Sequence, residues 1–225
     1  MQMEFKKYAK NVHRPNLANV SNNVRNALQV DVVDAIQALE KLPFPAGNRV
    51  AVLGSVLYSG SECAASVQKT AFSSTRLSLA KLSDDTRKKI QEAVPETIFC
   101  HNPVDISSKA GSEAYVAVLE VLLASPEVDI LLCEGPFDMG LAACEEQHVK
   151  ETLVENIAGL LENSCKPVLF FCSPGASFPG FWQNIIVGFP SIPRVINTVQ
   201  FLVDFRDTLE VKILEGKLAS AIRYS

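Results

Sequence analysis

The sequence predicts an α/β fold in which a mostly parallel sheet of five or six strands is wound on both faces by helices. Three observations carry this expectation. From Arg49 onward, short apolar runs rich in β-branched residues alternate with segments of helical period, the pattern of strands joined by crossover helices. Two of those runs, Val128 to Cys133 and Pro167 to Cys172, are apolar throughout, as central strands covered on both faces require. The chain has 225 residues, 48% of them hydrophobic and 20% charged, enough to bury one full core.

Residues 1 to 24 are polar and Asn-rich, an exposed arm. Val32, Ala35, Ile36 and Leu39 then recur at helical spacing, and Pro43-Phe44-Pro45 forms a linker. Arg49 to Gly54 is the first strand and Ser61 to Phe72 the following helix, with Ser59-Gly60 at its mouth. Thr75 to Ala80 is a shorter second strand. Ser83 caps the helix DDTRKKIQEAV, whose acidic start suits the helix dipole, and Pro95 ends it. Thr97 to Cys100 reads as the third strand, HNPVDISSKAG as a loop, and Ser112 to Ala124 as a helix with Tyr115, Val118, Leu119 and Leu122 on one face. Ser125-Pro126 stops that helix. The two continuous apolar runs are the fourth and fifth strands, with a long helix between them from about Cys144 to Glu162. SPGASFPG opens onto a helix near Phe181 to Val187, and Ile192 to Asp204 reads as a short edge element and a helix. The expected organisation is therefore arm, helix and linker at 1–46, a flavodoxin-like sheet domain at 47–210, and a tail at 211–225.

The net charge of -4 and pI near 5.5, with scattered Lys and Arg, argue against a nucleic-acid partner. The polar start lacks a secretory signal, and no apolar run approaches the roughly 18 to 20 residues of a membrane span. A cytoplasmic protein is expected. The six cysteines show no CxxC or His-Cys spacing for a metal, and Cys100, Cys133 and Cys172 close apolar runs, as buried free thiols would.

Ligands of open parallel sheets bind beyond the carboxyl ends of the strands. The loops there are GSVLYSGS, HNPVDISSKAG, EGPFDMG and SPGASFPG, which place Gly54, Ser55, Ser59, Gly60, Asn102, Pro103, Asp105, Ser107 and Gly135 as ligand-loop candidates. Such residues bring backbone N–H groups to an anion at a helix start, and they also serve plain turning and capping. Asn102 is expected to bond its own loop backbone, and Asp105 to accept N–H bonds from Ser107 or Ser108 or to cap the next helix. Glu134, Asp138, Glu145 and Glu146 cluster at the exit of the fourth strand, where solvated helix-start carboxylates are a simpler reading than a magnesium site. His13 and His148 read as surface side chains. His101 lies nearest the loops, and Cys100 beside it is expected to point to the opposite face of an extended chain. No catalytic or metal residue is assigned.

FPAGNRVAVLG at Phe44 to Gly54, LSLAKLSDDTRKKIQEAVP at Leu77 to Pro95, NPVDI at Asn102 to Ile106 and PEVDILLCEGP at Pro126 to Pro136 follow one another in order. The series resembles the second flavodoxin-like domain of ADP-forming acetyl-CoA and acyl-CoA synthetases, relatives of succinyl-CoA synthetase. The resemblance implies an enzyme that joins an acid to CoA at the expense of ATP, through an acyl phosphate and a phosphohistidine. It also implies CoA-binding, phosphohistidine and ATP-grasp domains or subunits as partners; a homo-oligomer is a further option the sequence leaves open. CoA, ATP and magnesium belong to that complete enzyme, and none is expected on this chain alone. Two departures follow. Leu57 and Tyr58 replace the paired glycines of the family's first loop, where side chains obstruct close approach to phosphate. None of the three histidines has the family's SHTG-like context. The expectation is a supporting domain that is not catalytic alone, with a binding or scaffold protein that has lost the phosphate loop as the alternative.

Overall fold

The apolar runs become strands of a single sheet in the computed structural model, which describes residues 32–54, 75–95, 100–106, 111–136, 147–172 and 185–223. In chain order the elements are α1 (Val32–Lys41), β1 (Arg49–Gly54), β2 (Ser78–Leu79), α2 (Asp84–Ala93), β3 (Val104–Asp105) and α3 (Gly111–Ala124). They continue with β4 (Ile130–Glu134), α4 (Gln147–Asn163), β5 (Val168–Phe171), β6 (Gly188–Phe189) and α5 (Ile192–Arg223). Every strand pair is parallel, in the order β2-β1-β4-β5-β6, with β3 also on β1. The expected α/β class and mostly parallel sheet of five or six strands are borne out, with six strands among the described residues.

Alternation along the strands divides the core into two layers. Ala51, Leu53, Leu131, Cys133, Val168 and Phe170 face α2, α3 and α4, where Ile90, Tyr115, Leu119 and Ile157 are buried. Val50, Val52, Ile130, Leu132, Leu169 and Phe171 face the other way, onto Val195, Ile196, Val199 and Val203 of α5. A third layer follows, because Ala35 and Ala38 of α1 pack on Phe201 and Leu202 of α5. Arg194 clamps this contact by donating to both carboxylate oxygens of Asp34 at 2.7 Å, and Arg206 Nη1 donates to the carbonyls of Pro45 and Gly47. The helix expected beside the linker is thus packed against the sheet domain.

β2 and β3 share one edge of β1. Arg49 and Val50 pair with Ser78 and Leu79, while Leu53 and Gly54 pair with Val104 and Asp105. The edge strand is therefore split in two, and α2 is an excursion between its halves. Strand β3 falls inside a segment read from sequence as loop. Three other expectations differ or lie elsewhere. The third strand expected at Thr97 to Cys100 falls mostly on residues outside the described set, as does the helix at Ser61 to Phe72. Of the helix expected at Phe181 to Val187, residues 185–187 run instead into β6. Where a short edge element and a helix were expected from Ile192 to Asp204, one helix begins at Ile192 and continues to Arg223, through the stretch read as a tail.

Candidate functional site

After β1 the chain passes to β2 and β3 on one side, then crosses to β4 on the other. The carboxyl ends of β1 and β4 thus flank the point where strand order reverses, the place where open α/β sheets open a crevice. Register fixes what stands there. Gly54 pairs with Asp105 on one side. On its other side it lies beside Glu134, since the preceding residues, Leu53 and Cys133, are partners. Glu134 is itself paired with Phe171, which is paired with Phe189. Asp105, Gly54, Glu134, Phe171 and Phe189 therefore form one row across the sheet's upper edge.

Within that row, Asp105 is 3% exposed and Glu134 2%. Gly54 makes room between them: a Cβ there would stand 2.9 Å from Glu134 Oε2 and 3.1 Å from Glu134 Cβ. Glu134 is thus a buried strand-end residue, not the solvated helix-start carboxylate expected from sequence. The hydroxyl of Tyr115 donates to the Glu134 carbonyl at 2.8 Å, and the Gly135 N–H donates to the Phe171 carbonyl at 3.0 Å. Burial raises the Tyr115 phenol well above its ordinary range, and burial also pushes up the Cys133 thiol below it. Both stay protonated at neutral pH.

Asn102 corrects a second expectation. Its side chain bonds not its own loop but the sheet: Oδ1 accepts from Val52 N at 2.9 Å, and Nδ2 donates to the carbonyls of Val50 at 2.7 Å and Ala80 at 3.0 Å. The carboxamide presents N–H donors and a carbonyl acceptor side by side, as a peptide group does but with a second N–H, and so fills the gap between β2 and β3. Pro103, joined to it by a cis peptide, has no N–H to place in an edge strand. Ile106 N then donates to the Gly54 carbonyl at 3.2 Å. Of the sequence candidates, Gly54, Asp105 and Gly135 gather at the upper end of β1 and its neighbours, while Asn102, followed by Pro103, is bonded lower on β1, at Val50 and Val52. Ser55, Ser59, Gly60 and Ser107 lie outside the described residues, together with Asp138, Glu145 and Glu146.

The opposite end of the sheet holds a charged lock that sequence reading missed. Arg49 Nε and Nη2 donate to the two carboxylate oxygens of Asp129 at 2.8 and 2.7 Å, and Nη2 also donates to the Pro126 carbonyl at 2.8 Å. Burial pushes the Asp129 carboxyl up, but the Arg49 fork outweighs it and holds the group below its ordinary value. A Cβ on Gly47 would meet Asp129 Oδ2 at 2.3 Å. Glycine, arginine and aspartate from two separate motifs thus belong to one contact. The signal was present as the GNR and PEVD runs, but their pairing across the sheet was not.

Cys100 and His101, expected on opposite faces, line one cavity of about 350 Å³ with Asp84, Arg87, Lys88 and Gln91. The chain bends at His101 instead of running as a strand, so two-residue alternation does not apply. Among the described residues Cys100, Cys133, Cys165 and Cys172 are free thiols, and no group of three or more His, Cys, Asp or Glu side chains is arranged to hold a metal. None of the described helices is long and apolar enough to cross a membrane.

No family model matches the chain. Among solved structures it is similar to the protein PH0766 of Pyrococcus horikoshii OT3, with 25% identity over 76% of this chain and a TM-score of 0.58. It is also similar to a dinucleotide forming acetyl-coenzyme A synthetase 1 of Candidatus Korarchaeum cryptofilum, solved in complex with phosphate and ADP and in the apo form. The identity there is 22% over 81% of this chain, with a TM-score of 0.58 in both. The chain spans 38% of PH0766 and 39% of the synthetase chain. At the level of the fold, these likenesses bear out the resemblance drawn from the sequence.

Proposed function

We propose that the chain is a domain or subunit of an ADP-forming acyl-CoA synthetase, acting with CoA-binding, phosphohistidine and ATP-grasp partners in the cytoplasm. One observation carries the reading. The chain shares its fold with an acetyl-coenzyme A synthetase over 81% of its own length but only 39% of the other's, the proportion of one part to a larger machine.

The site chemistry supports a supporting role. Asn102, Arg49, Asp129 and Tyr115 of the resembling motifs are hydrogen-bonded to hold strands and helices together. At the crevice, two buried carboxyl side chains flank a bare glycine, a poor seat for a free anion at that level because neither side chain brings a cationic donor. In this reading the loops that carry Ser55, Ser59, Gly60 and Ser107 supply backbone N–H groups to a phosphoryl group that a partner presents, while Gly54 and Gly135 are held in the sheet beneath. CoA, ATP and magnesium are then held by those partners.

Combining the purified chain with CoA-binding and ATP-grasp partners should give ADP release that depends on both acid and CoA. No gain over the partners alone would overturn the proposal. Leu57 and Tyr58 favour a second reading, a scaffold that has lost the phosphate loop. Thermal denaturation with CoA, ADP or phosphate separates the two, since a ligand that binds only the folded chain raises its midpoint. Stabilisation by CoA or ADP that persists in Arg87→Gln counts against the scaffold.

A further inference from the structure

Independently of that reading, we propose that the cavity between α2 and the segment before β3 is a binding site for a phosphoryl group, free or carried on a small ester. Its wall on α2 is one helical stripe, Asp84, Arg87, Lys88 and Gln91, and its other wall is Cys100 and His101. The rear is fixed. Cys100 Sγ donates to Gln91 Oε1 at 2.8 Å, and Gln91 Nε2 donates to the Pro95 carbonyl at 2.9 Å. Burial raises the Cys100 thiol, which makes it a neutral donor.

The front is rich in nitrogen donors with little to bind. Arg87 Nε is shut off from water and has no hydrogen-bond partner, an unfavourable state for a buried donor. Arg87 Nη1 lies 3.4 Å from each ring nitrogen of His101, at the outer limit of hydrogen bonding. Arg87 Nη2 is paired with Asp84, whose side chain is 93% exposed, and exposed pairs are weak. Lys88 reaches Glu92 only at 3.8 Å. Arg87 and Lys88 against one carboxylate leave a net positive lining.

A guanidinium edge matches two oxygens of a phosphoryl group, and such charge-assisted pairs are roughly twice as strong as neutral ones. His101 is exposed, so its ring can turn from Nη1 and open the guanidinium to an oxygen. At about 350 Å³ the cavity lies at the small end of ligand sites, suited to a phosphate or a short phosphomonoester.

The test is an NMR titration of the full chain with inorganic phosphate and with glycerol 3-phosphate, ionic strength held constant with chloride. Saturable shifts of the Arg87 Nε–H and His101 ring signals are expected at millimolar ligand. R87Q should weaken binding at least about tenfold, about 1.4 kcal/mol, with an unchanged melting midpoint. R87K, which keeps charge but loses the fork, should weaken it too. Tighter binding of the ester would identify it as the ligand, and equal binding would identify phosphate. Absence of saturable shifts with both probes, or undiminished binding by R87Q, would overturn the proposal.

Discussion

The carboxamide of Asn102 occupies the position of a peptide group between two strand fragments, bonded to Val50, Val52 and Ala80. An aspartate there keeps the acceptor for Val52 N but loses both donations and brings a carboxylate against two carbonyls. Asn102→Asp should therefore cost about 2–4 kcal/mol, read from urea unfolding, and should be worse than Asn102→Ala. Equal stability of the aspartate variant would refute this role. Gly54→Ala places a methyl 2.9 Å from Glu134 Oε2 and should cost about 1–3 kcal/mol. Combined with Glu134→Ala, part of that loss should return, as double-mutant coupling between touching residues. Sequence reading marked both Asn102 and Gly54, because Asn-Pro and a strand-ending glycine are conspicuous in one dimension. It could not assign Asn102 its partners, since a side chain that completes a sheet is defined only by the register of strands far away.

The elements are tied at their ends by groups with different visibility. Ser83 caps α2 by accepting from Thr86 N at 3.2 Å, as its place before DDTRKK announces. Glu127, in the turn between α3 and β4, is harder to foresee. Its carboxylate accepts from the Ser125 hydroxyl and from Ser83 N at 3.2 Å, across 44 residues of sequence. These bonds, the Ser125 hydroxyl first, lower its pKa to about 2. The folded value lies below the unfolded one, so this stabilisation is complete above the ordinary carboxylate range. It fades as pH falls from about 4.5 toward about 2. Urea midpoints at about pH 6 and pH 3 should thus separate more in the native chain than in Glu127→Gln. The same spread in both would show that Glu127 contributes nothing to acid sensitivity. β3 and β6 were the least legible strands, two residues each, too short for any periodicity to register.

At the scale of the molecule, the two continuous apolar runs were enough to foresee a sheet covered on both faces. The third layer was not foreseen, because α1 has the apolar spacing of any surface helix and its seat on Phe201 and Leu202 lies far along the chain. Removing residues 1–43 would uncover those two side chains and strip Arg194 of Asp34. The expected loss is about 3–6 kcal/mol at about 1.5–3 kcal/mol for each large side chain exposed, measured by denaturant unfolding against the full chain. An unchanged midpoint would show that α1 is an appendage after all. The crevice was legible only as a place, since the strand-end rule names loops but not the row of side chains beneath them. The pairing of Val50 with Ile130 also imposes a schedule on synthesis. On the ribosome, β1 has β2 within reach early, but its β4 partner emerges only about eighty residues later. Until then one flank of the nascent β1 stays open to rival strands, so this interval is one in which the growing chain is open to mispairing.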